Sequence, residues 1–470
     1  MQLSANPARR RTAVTNSAVR EYVEANRERF LDELKELVAI PSISTLSEHQ
    51  ADLRHAAAWL AAHLREQIGM DTARVIETGG HPLVYGEWLQ APGKPTVLIY
   101  GHYDVQPVDP LELWKTPPFE PTVVGENLYG RGAVDDKGQM FATIKALEAL
   151  KATGGFPCNI KLLIEGEEEA GGASIAQYVQ DHPSELAADC ALILDTGMVA
   201  KGVPTICYAL RGLTYLEIEA RGAGHDLHSG SYGGIAPNPI QALAWVLADL
   251  KSRDGTINIP GLYDTVRPLS EQERATLERQ SKQLAPGLMQ AAELHALPGE
   301  AGFSVLERAT ARPTLEVHGI RGGFVGQGAK TVIPAVATAK ISLRLVANQK
   351  PDAVLELVRQ RVAELAPEGI ELIIHEHHGG EPVEVGLDAP VLQQAVAALE
   401  EEFGHPVEFE RGGGTIPVAA LFAAVLGQPV VMMGFGLADD NVHAPNEKFY
   451  IPNYYHAIRS VAGFLSRVGG

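Results

Sequence analysis

The sequence predicts an α/β protein in which a mostly parallel central sheet flanked by helices forms the main domain and a smaller α+β domain is inserted into it. Three observations carry this. Short, predominantly apolar runs at residues 96–100, 160–164 and 190–194 alternate with helical stretches, the pattern of buried parallel strands joined by helical crossovers. Beyond Arg211 the strands change texture and alternate apolar with polar residues, as half-exposed strands do. At 470 residues the chain also exceeds the size at which one core keeps growing.

The elements follow in order. Leu31, Leu34, Leu37 and Val38 recur at helical spacing until Pro41, and a second helix is expected over 53–64. Met140, Ile144 and Leu147 mark the helix between the first two buried strands. In the inserted region Leu216 and Ile218 alternate with Glu217 and Glu219, and Ile341, Leu343 and Leu345 with Lys340, Ser342 and Arg344. Amphipathic helices over 240–250 and 354–365 follow these two strands, and the polar segment 252–310 reads as a helical insertion with loops. His375, His377 and His378 read as a polar strand end. After Gly379, Gly380 and Pro382 the apolar patterns resume, so the chain is expected to return to its first domain. The expected division is a basic leader at 1–14, the main domain over 15–211 and 381–470, and the inserted domain over 212–380.

Composition narrows the function. A formal net charge of −19 repels phosphate backbones, and no basic patch compensates it, so no nucleic-acid partner is expected. No apolar run approaches the roughly 18 residues of a membrane span, and the leader, with Arg9, Arg10 and Arg11, lacks the apolar stretch of a secretory signal. Cys158, Cys190 and Cys207 show no CxxC spacing and leave one thiol over in any pairing, which fits the reducing cytoplasm.

Chemistry in a parallel sheet gathers at the carboxyl ends of its strands. Residues 96–100 run into Gly101, His102, Tyr103 and Asp104, which places an imidazole and a carboxylate on one side of the chain. Asp135 and Asp136, between Gly132 and Gly138, precede a helix; Glu165, Glu167, Glu168 and Glu169 follow the second strand, and Asp195 the third. Each has an ordinary reading too: a loop, an acidic helix start, a solvated face. Together they put acidic or imidazole groups at three neighbouring strand ends, and a cation would offset the repulsion among them. His443 arrives from the returning segment.

The segments GHYDVQP at 101–107, GRGAVDDKG at 130–138, EGEEEAGG at 165–172, DLHSG at 226–230 and NVHAPNE at 441–447 resemble the two-metal aminoacylase, dipeptidase and carboxypeptidase family of metallopeptidases. Its carnosinase-type and cytosolic nonspecific dipeptidases are the nearest likeness. The resemblance covers nearly the whole chain after the leader. It implies Asp135 as a carboxylate bridging two metal ions, with His102 and Asp195 completing one site and Glu169 and His443 the other. It further implies Glu168 as general base, Asp104 as the residue orienting His102, and a cis peptide between Asp135 and Asp136. The extra Glu167 leaves the glutamate register open by one; anchoring on Ala170 and Gly171 selects Glu168 and Glu169.

Two cations would polarise an amide carbonyl and acidify water, and a glutamate off the metal would move the proton. The mixed carboxylate and imidazole ligands suit zinc, manganese or cobalt without choosing among them, and zinc is the expected ion. Arg344, on the polar side of its strand, is ordinarily a solvated arginine; by the resemblance its fork binds a substrate carboxylate, with Thr415 beside the glycines at 412–414 and Thr331 as further substrate contacts. His228, a lone histidine in a polar loop, is ordinarily structural. By resemblance it is lent to the partner's active site across a homodimer formed by the inserted domain. The expected activity is hydrolysis of dipeptides or similarly short substrates with a free carboxylate. The alternatives are an acylase, desuccinylase or carboxypeptidase of the same family, or a metal-binding scaffold without catalysis.

Overall fold

A computed structural model describes residues 17–470; the expected leader lies outside the described residues. The chain divides into two compact units, one comprising the chain up to Tyr208 with Val385–Glu410 and Leu421–Gly470, the other Ala209–Glu384 with Arg411–Ala420. The stretch Arg411–Ala420, expected with the returning segment, clusters with the second unit.

In the first unit the strands lie side by side in the order Thr72–Ile76, Leu83–Trp88, Asn159–Glu165, Thr96–His102, Cys190–Ile193, Val430–Gly434 and Thr205–Leu210. The four from Asn159–Glu165 to Val430–Gly434 pair in parallel. The strands on either side pair antiparallel, so the sheet is mixed, with its parallel part confined to the middle. Parallel pairing sets three strand ends next to one another: His102 lies opposite Glu165, and Tyr100 opposite Ile193. The residues that follow therefore emerge along one edge.

The helix Lys137–Thr153 is buried continuously from Lys137 to Leu150. It packs against Ile451–Val468, Arg27–Val38 and the Thr96–His102 strand. Its entry tolerates no side chain at Gly138, where a Cβ would come within 2.0 Å of the Ala133 carbonyl oxygen and 2.7 Å of Phe449. Phe30, Phe141, Tyr454 and Phe464 fill the surrounding core, each contributing about 1.5–3 kcal/mol by burial. This packing fixes the start of the helix, where Asp135 and Asp136 sit.

The second unit is a four-stranded antiparallel sheet in the order Thr314–Gly322, Val336–Leu345, Gly212–Arg221 and Glu371–Gly380. Leu216, Ile218 and Ala220 turn to one face, where Pro239–Leu250 and Pro351–Glu364 cover them; Glu217 and Glu219 take the other. The polar segment holds the helix Glu271–Ala291, started by a reciprocal cap in which Ser270 and Glu273 exchange side-chain and backbone bonds. His375 lies within its predicted strand and bonds Glu219 at 2.7 Å.

Candidate metal centre

Two groups of three side chains meet at the strand ends. One is His102, Asp135 and Asp195; the other is Asp135, Glu169 and His443; within each, one ligand atom per residue lies within 4.8 Å of the others. Asp135 belongs to both. Its Oδ1 is 3.0 Å from His102 Nε2, and its Oδ2 is 3.0 Å from His443 Nε2. Asp195 Oδ2 lies 3.9 Å from His102 Nε2, and Glu169 Oε1 lies 3.2 Å from His443 Nε2. A tetrahedral ion about 2.0–2.2 Å from oxygen and nitrogen ligands needs donor atoms separated in this way. The donor set and its spacing thus fit two divalent cations sharing one carboxylate.

The electrostatics agree. Burial pushes Asp195 well above the usual carboxylate range, and the nearby Asp135 and Asp136 push it further. Burial also raises Glu168, to about 7, with Glu169, Asp135 and Asp104 adding to the rise against the influence of His102. His443, hydrogen-bonded to Asp135 and Glu169, is held up at about 10. So many carboxylates around two imidazoles form a site short of positive charge, which bound cations would supply.

Asp104 ties the strand ends together. Its Oδ1 is 3.4 Å from His102 Nδ1, on the opposite side of the ring from Asp135. The same carboxylate accepts the backbone amides of Glu168 at 3.2 Å and Glu169 at 3.1 Å. The glutamate turn is therefore fastened to the residue behind His102. Within that turn Glu167 points elsewhere, its Oε2 accepting the Ser174 amide at 3.1 Å at the start of the helix Ala173–Asp181. Glu169 instead faces His443 and accepts a 2.6 Å bond from Gln106. Gly171, at φ 104, lets the chain leave the turn in a conformation that other residues avoid.

Two residues that the sequence reading named without assigning a role take buried positions behind the site. Asp136, joined to Asp135 by a cis peptide bond, is completely buried and accepts the His102 amide at 3.2 Å. Glu165 is buried, receives the Tyr100 hydroxyl at 2.6 Å and is raised to about 8 by burial. A third group, Glu33, His63 and Glu148, also has ligand-like spacing, but it encloses Lys145. The buried Lys145 Nζ contacts Glu33, lies 2.8 Å from Glu148 and 2.9 Å from His63, and with Arg29, which pairs with both carboxylates, already supplies that group's positive charge.

In the second unit Arg344 Nη1 donates to Thr415 Oγ1 at 2.7 Å, and the Thr415 hydroxyl donates to the Arg211 carbonyl at 2.6 Å. Arg211 itself was missed by sequence reasoning. Its Nε donates to the Gly413 carbonyl at 2.8 Å, and burial together with the charge of Arg344 lowers it to about 10. His228 and Thr331 share another place: His228 pairs with Val332, and the Ser229 amide donates to the Thr331 carbonyl at 3.1 Å. His228 Nδ1 accepts the Gly230 amide at 3.0 Å, so a proton on its ring sits on Nε2.

The model of peptidase family M20/M25/M40 matches residues 98–467. The chain belongs to this family. This M20 peptidase is 32% identical over 463 residues to the Beta-Ala-His dipeptidase of Homo sapiens, covering 95% of this chain and 91% of that protein. It is 31% identical over 457 residues to the Cys-Gly metallodipeptidase dug1 of Schizosaccharomyces pombe, covering 93% and 95%. Among solved structures, human carnosine dipeptidase 1 superposes with a TM-score of 0.79 at 30% identity, over 97% of this chain and 98% of that one. The M20 metallo-carboxypeptidase Sso-CP2 from Sulfolobus solfataricus superposes with a TM-score of 0.82 at 33% identity, over 94% and 99%.

Proposed function

We propose that this M20 peptidase hydrolyses the peptide bond of dipeptides, or of similarly short substrates with a free C-terminal carboxylate, with two zinc ions held by His102, Asp135, Glu169, Asp195 and His443. Manganese and cobalt are the alternative ions for the same donors. The observation that carries this reading is the placement of Asp135, whose two oxygens each face a different histidine. The bound ions would act as Lewis acids toward the amide carbonyl and toward water. Glu168, excluded from both triads yet fastened beside them, takes the water proton and passes it to the leaving nitrogen. Asp104 holds the His102 ring in place.

The carboxylate of the substrate falls to Arg344, supported by Thr415 and by the adjacent charge of Arg211. Among the described residues neither arginine has a carboxylate within ion-pairing distance, which leaves both charges available to an anion. A carboxypeptidase acting on longer peptides is the second reading, favoured by the likeness to Sso-CP2. Metal analysis of the purified protein, combined with a panel of dipeptides, tripeptides and N-acyl amino acids, separates the two. The expected result is two equivalents of zinc and turnover confined to dipeptides. Tripeptide turnover at equal efficiency would favour the carboxypeptidase, and N-acyl turnover alone an acylase. The buried thiols fit a cytoplasmic setting.

We further propose a homodimer in which His228 serves the partner's site. Arg344 lies near the end of the ten-residue strand Val336–Leu345, whereas His228 pairs with Val332, just before its start. The eight residue steps from Val336 to Arg344 span roughly 26 Å. An extended dipeptide reaches about 7 Å. One subunit's Arg344 and His228 are thus too far apart to grip the same short substrate, which supports the reading that the His228 of each site comes from another copy. The edge strand Thr314–Gly322 exposes Val317 and Ile320, with Phe324 and Val325 beyond it, and supplies an unpaired apolar margin for such a contact. Mixing inactive His228→Ala protein with inactive Asp135→Ala protein and allowing exchange should restore activity, because one site of the mixed dimer carries neither lesion. Verified exchange without recovery would place His228 outside the partner's site.

A further inference from the structure

Glu447 follows His443 by four residues and plays no part in either triad, yet it is almost completely buried. Its carboxylate accepts four bonds from the loop that carries Asp135: from Arg131 Nη1 at 2.7 Å and from the amides of Gly132 at 3.0 Å, Val134 at 3.1 Å and Asp135 itself at 3.2 Å. Its backbone carbonyl takes a fifth, from the Gly130 amide at 3.0 Å. Converging amides of this kind form a concave anion cradle. Here the anion belongs to the chain itself.

The loop bearing Glu447 is held in an unusual shape. Asn441, His443 and Asn446 all have left-handed backbones, with φ of 55, 60 and 65. None is glycine, so the conformation costs energy that surrounding contacts must offset. Asn446 supplies one tether, accepting the Lys115 amide at 2.7 Å and donating to the Leu113 carbonyl at 2.9 Å. Glu447 supplies the other. The guanidinium that meets it is fixed in turn, Arg131 Nη2 donating to the Pro107 carbonyl at 3.0 Å.

We infer that Glu447 is a positioning residue that registers the Asp135 loop against the His443 loop, so that both ions of the proposed centre depend on it. The inference rests on the two-metal reading. Four donors saturate the lone-pair capacity of a carboxylate, and an amide cannot replace it because its NH₂ would meet N–H groups. Asn446, by contrast, tethers only the His443 side and should affect only the ion held there.

The test measures zinc affinity of the full chain by competition with a chromophoric chelator, alongside melting of the metal-free protein. Wild type should bind two ions. Glu447→Gln should bind both about 10–100-fold more weakly, the effect typical of groups that orient ligands, at temperatures where its metal-free form is folded. Asn446→Ala should weaken one ion and spare the other. As a control, Tyr455→Phe removes a buried hydroxyl that donates to the Arg27 carbonyl at 2.8 Å, and should lower the melting temperature without altering either affinity. Should Glu447→Gln fail to fold, Arg131→Lys removes part of the same anchor and should weaken both ions to a smaller extent. A folded Glu447→Gln or Arg131→Lys protein with wild-type affinities would overturn the inference alone. A wild type that does not bind two ions would overturn the metal reading and the inference with it.

Discussion

Asp135→Ala is expected to abolish stoichiometric metal binding at both positions and, with it, turnover. The two Asp135 oxygens face different histidines, so a single truncation removes a ligand from each triad and the negative charge between them. The milder Asp135→Asn should weaken both ions more than about the 10–100-fold typical of a group that merely orients a ligand. Helix Lys137–Thr153 is anchored by its own buried length, so circular dichroism should show the fold retained. Metal content by mass spectrometry decides the matter. Two equivalents bound to Asp135→Ala would remove this residue from the bridging role.

Glu168→Gln should leave metal content and fold unchanged while lowering turnover by roughly 10²–10⁴-fold, the range expected for loss of general acid–base transfer. The substitution keeps the size of the side chain and its backbone bond to Asp104, and removes only the capacity to take a proton. Glu167→Gln is the matched control. Because Glu167 accepts from the Ser174 amide, its loss should cost some stability and little activity. The reverse ranking in steady-state kinetics would assign proton transfer to Glu167.

The strand ends were legible because a strand buried on both faces is predominantly apolar, so the clustered polar residues after it mark where the sheet stops; Lys161 is the exception within the Asn159–Glu165 strand. His102, Asp195 and the glutamate turn stand out in this way. Pairing direction leaves no such mark: Leu83–Trp88 joins its neighbour antiparallel, and the margins of the sheet departed from the parallel expectation. The register of Glu167, Glu168 and Glu169 rested on a choice of anchor, since three identical side chains differ only in where the turn points them. Glu447 was readable as part of a motif but not as a partner, because the groups it holds lie 312 to 316 residues earlier. Arg211 marked a change of texture, and its proximity to Arg344 exists only once the strands Gly212–Arg221 and Val336–Leu345 have paired, Leu213 opposite Arg344.

The ammonium of Lys145 bears on how such a protein acquires its ions. A chain whose function depends on capturing divalent cations from a mixed cellular pool is exposed to misloading wherever carboxylates and an imidazole happen to converge. Glu33, His63 and Glu148 are such a decoy. A lysine tethered at their centre cannot diffuse away, Arg29 pairs with both carboxylates as well, and burial followed by the charge of Lys145 drives His63 down to about 4, so the ring adds no further charge there at neutral pH. An incoming ion would have to evict a counter-charge that is part of the polymer. Occupancy by cations of the chain itself would thereby disfavour metal at this location, at the expense of one buried lysine.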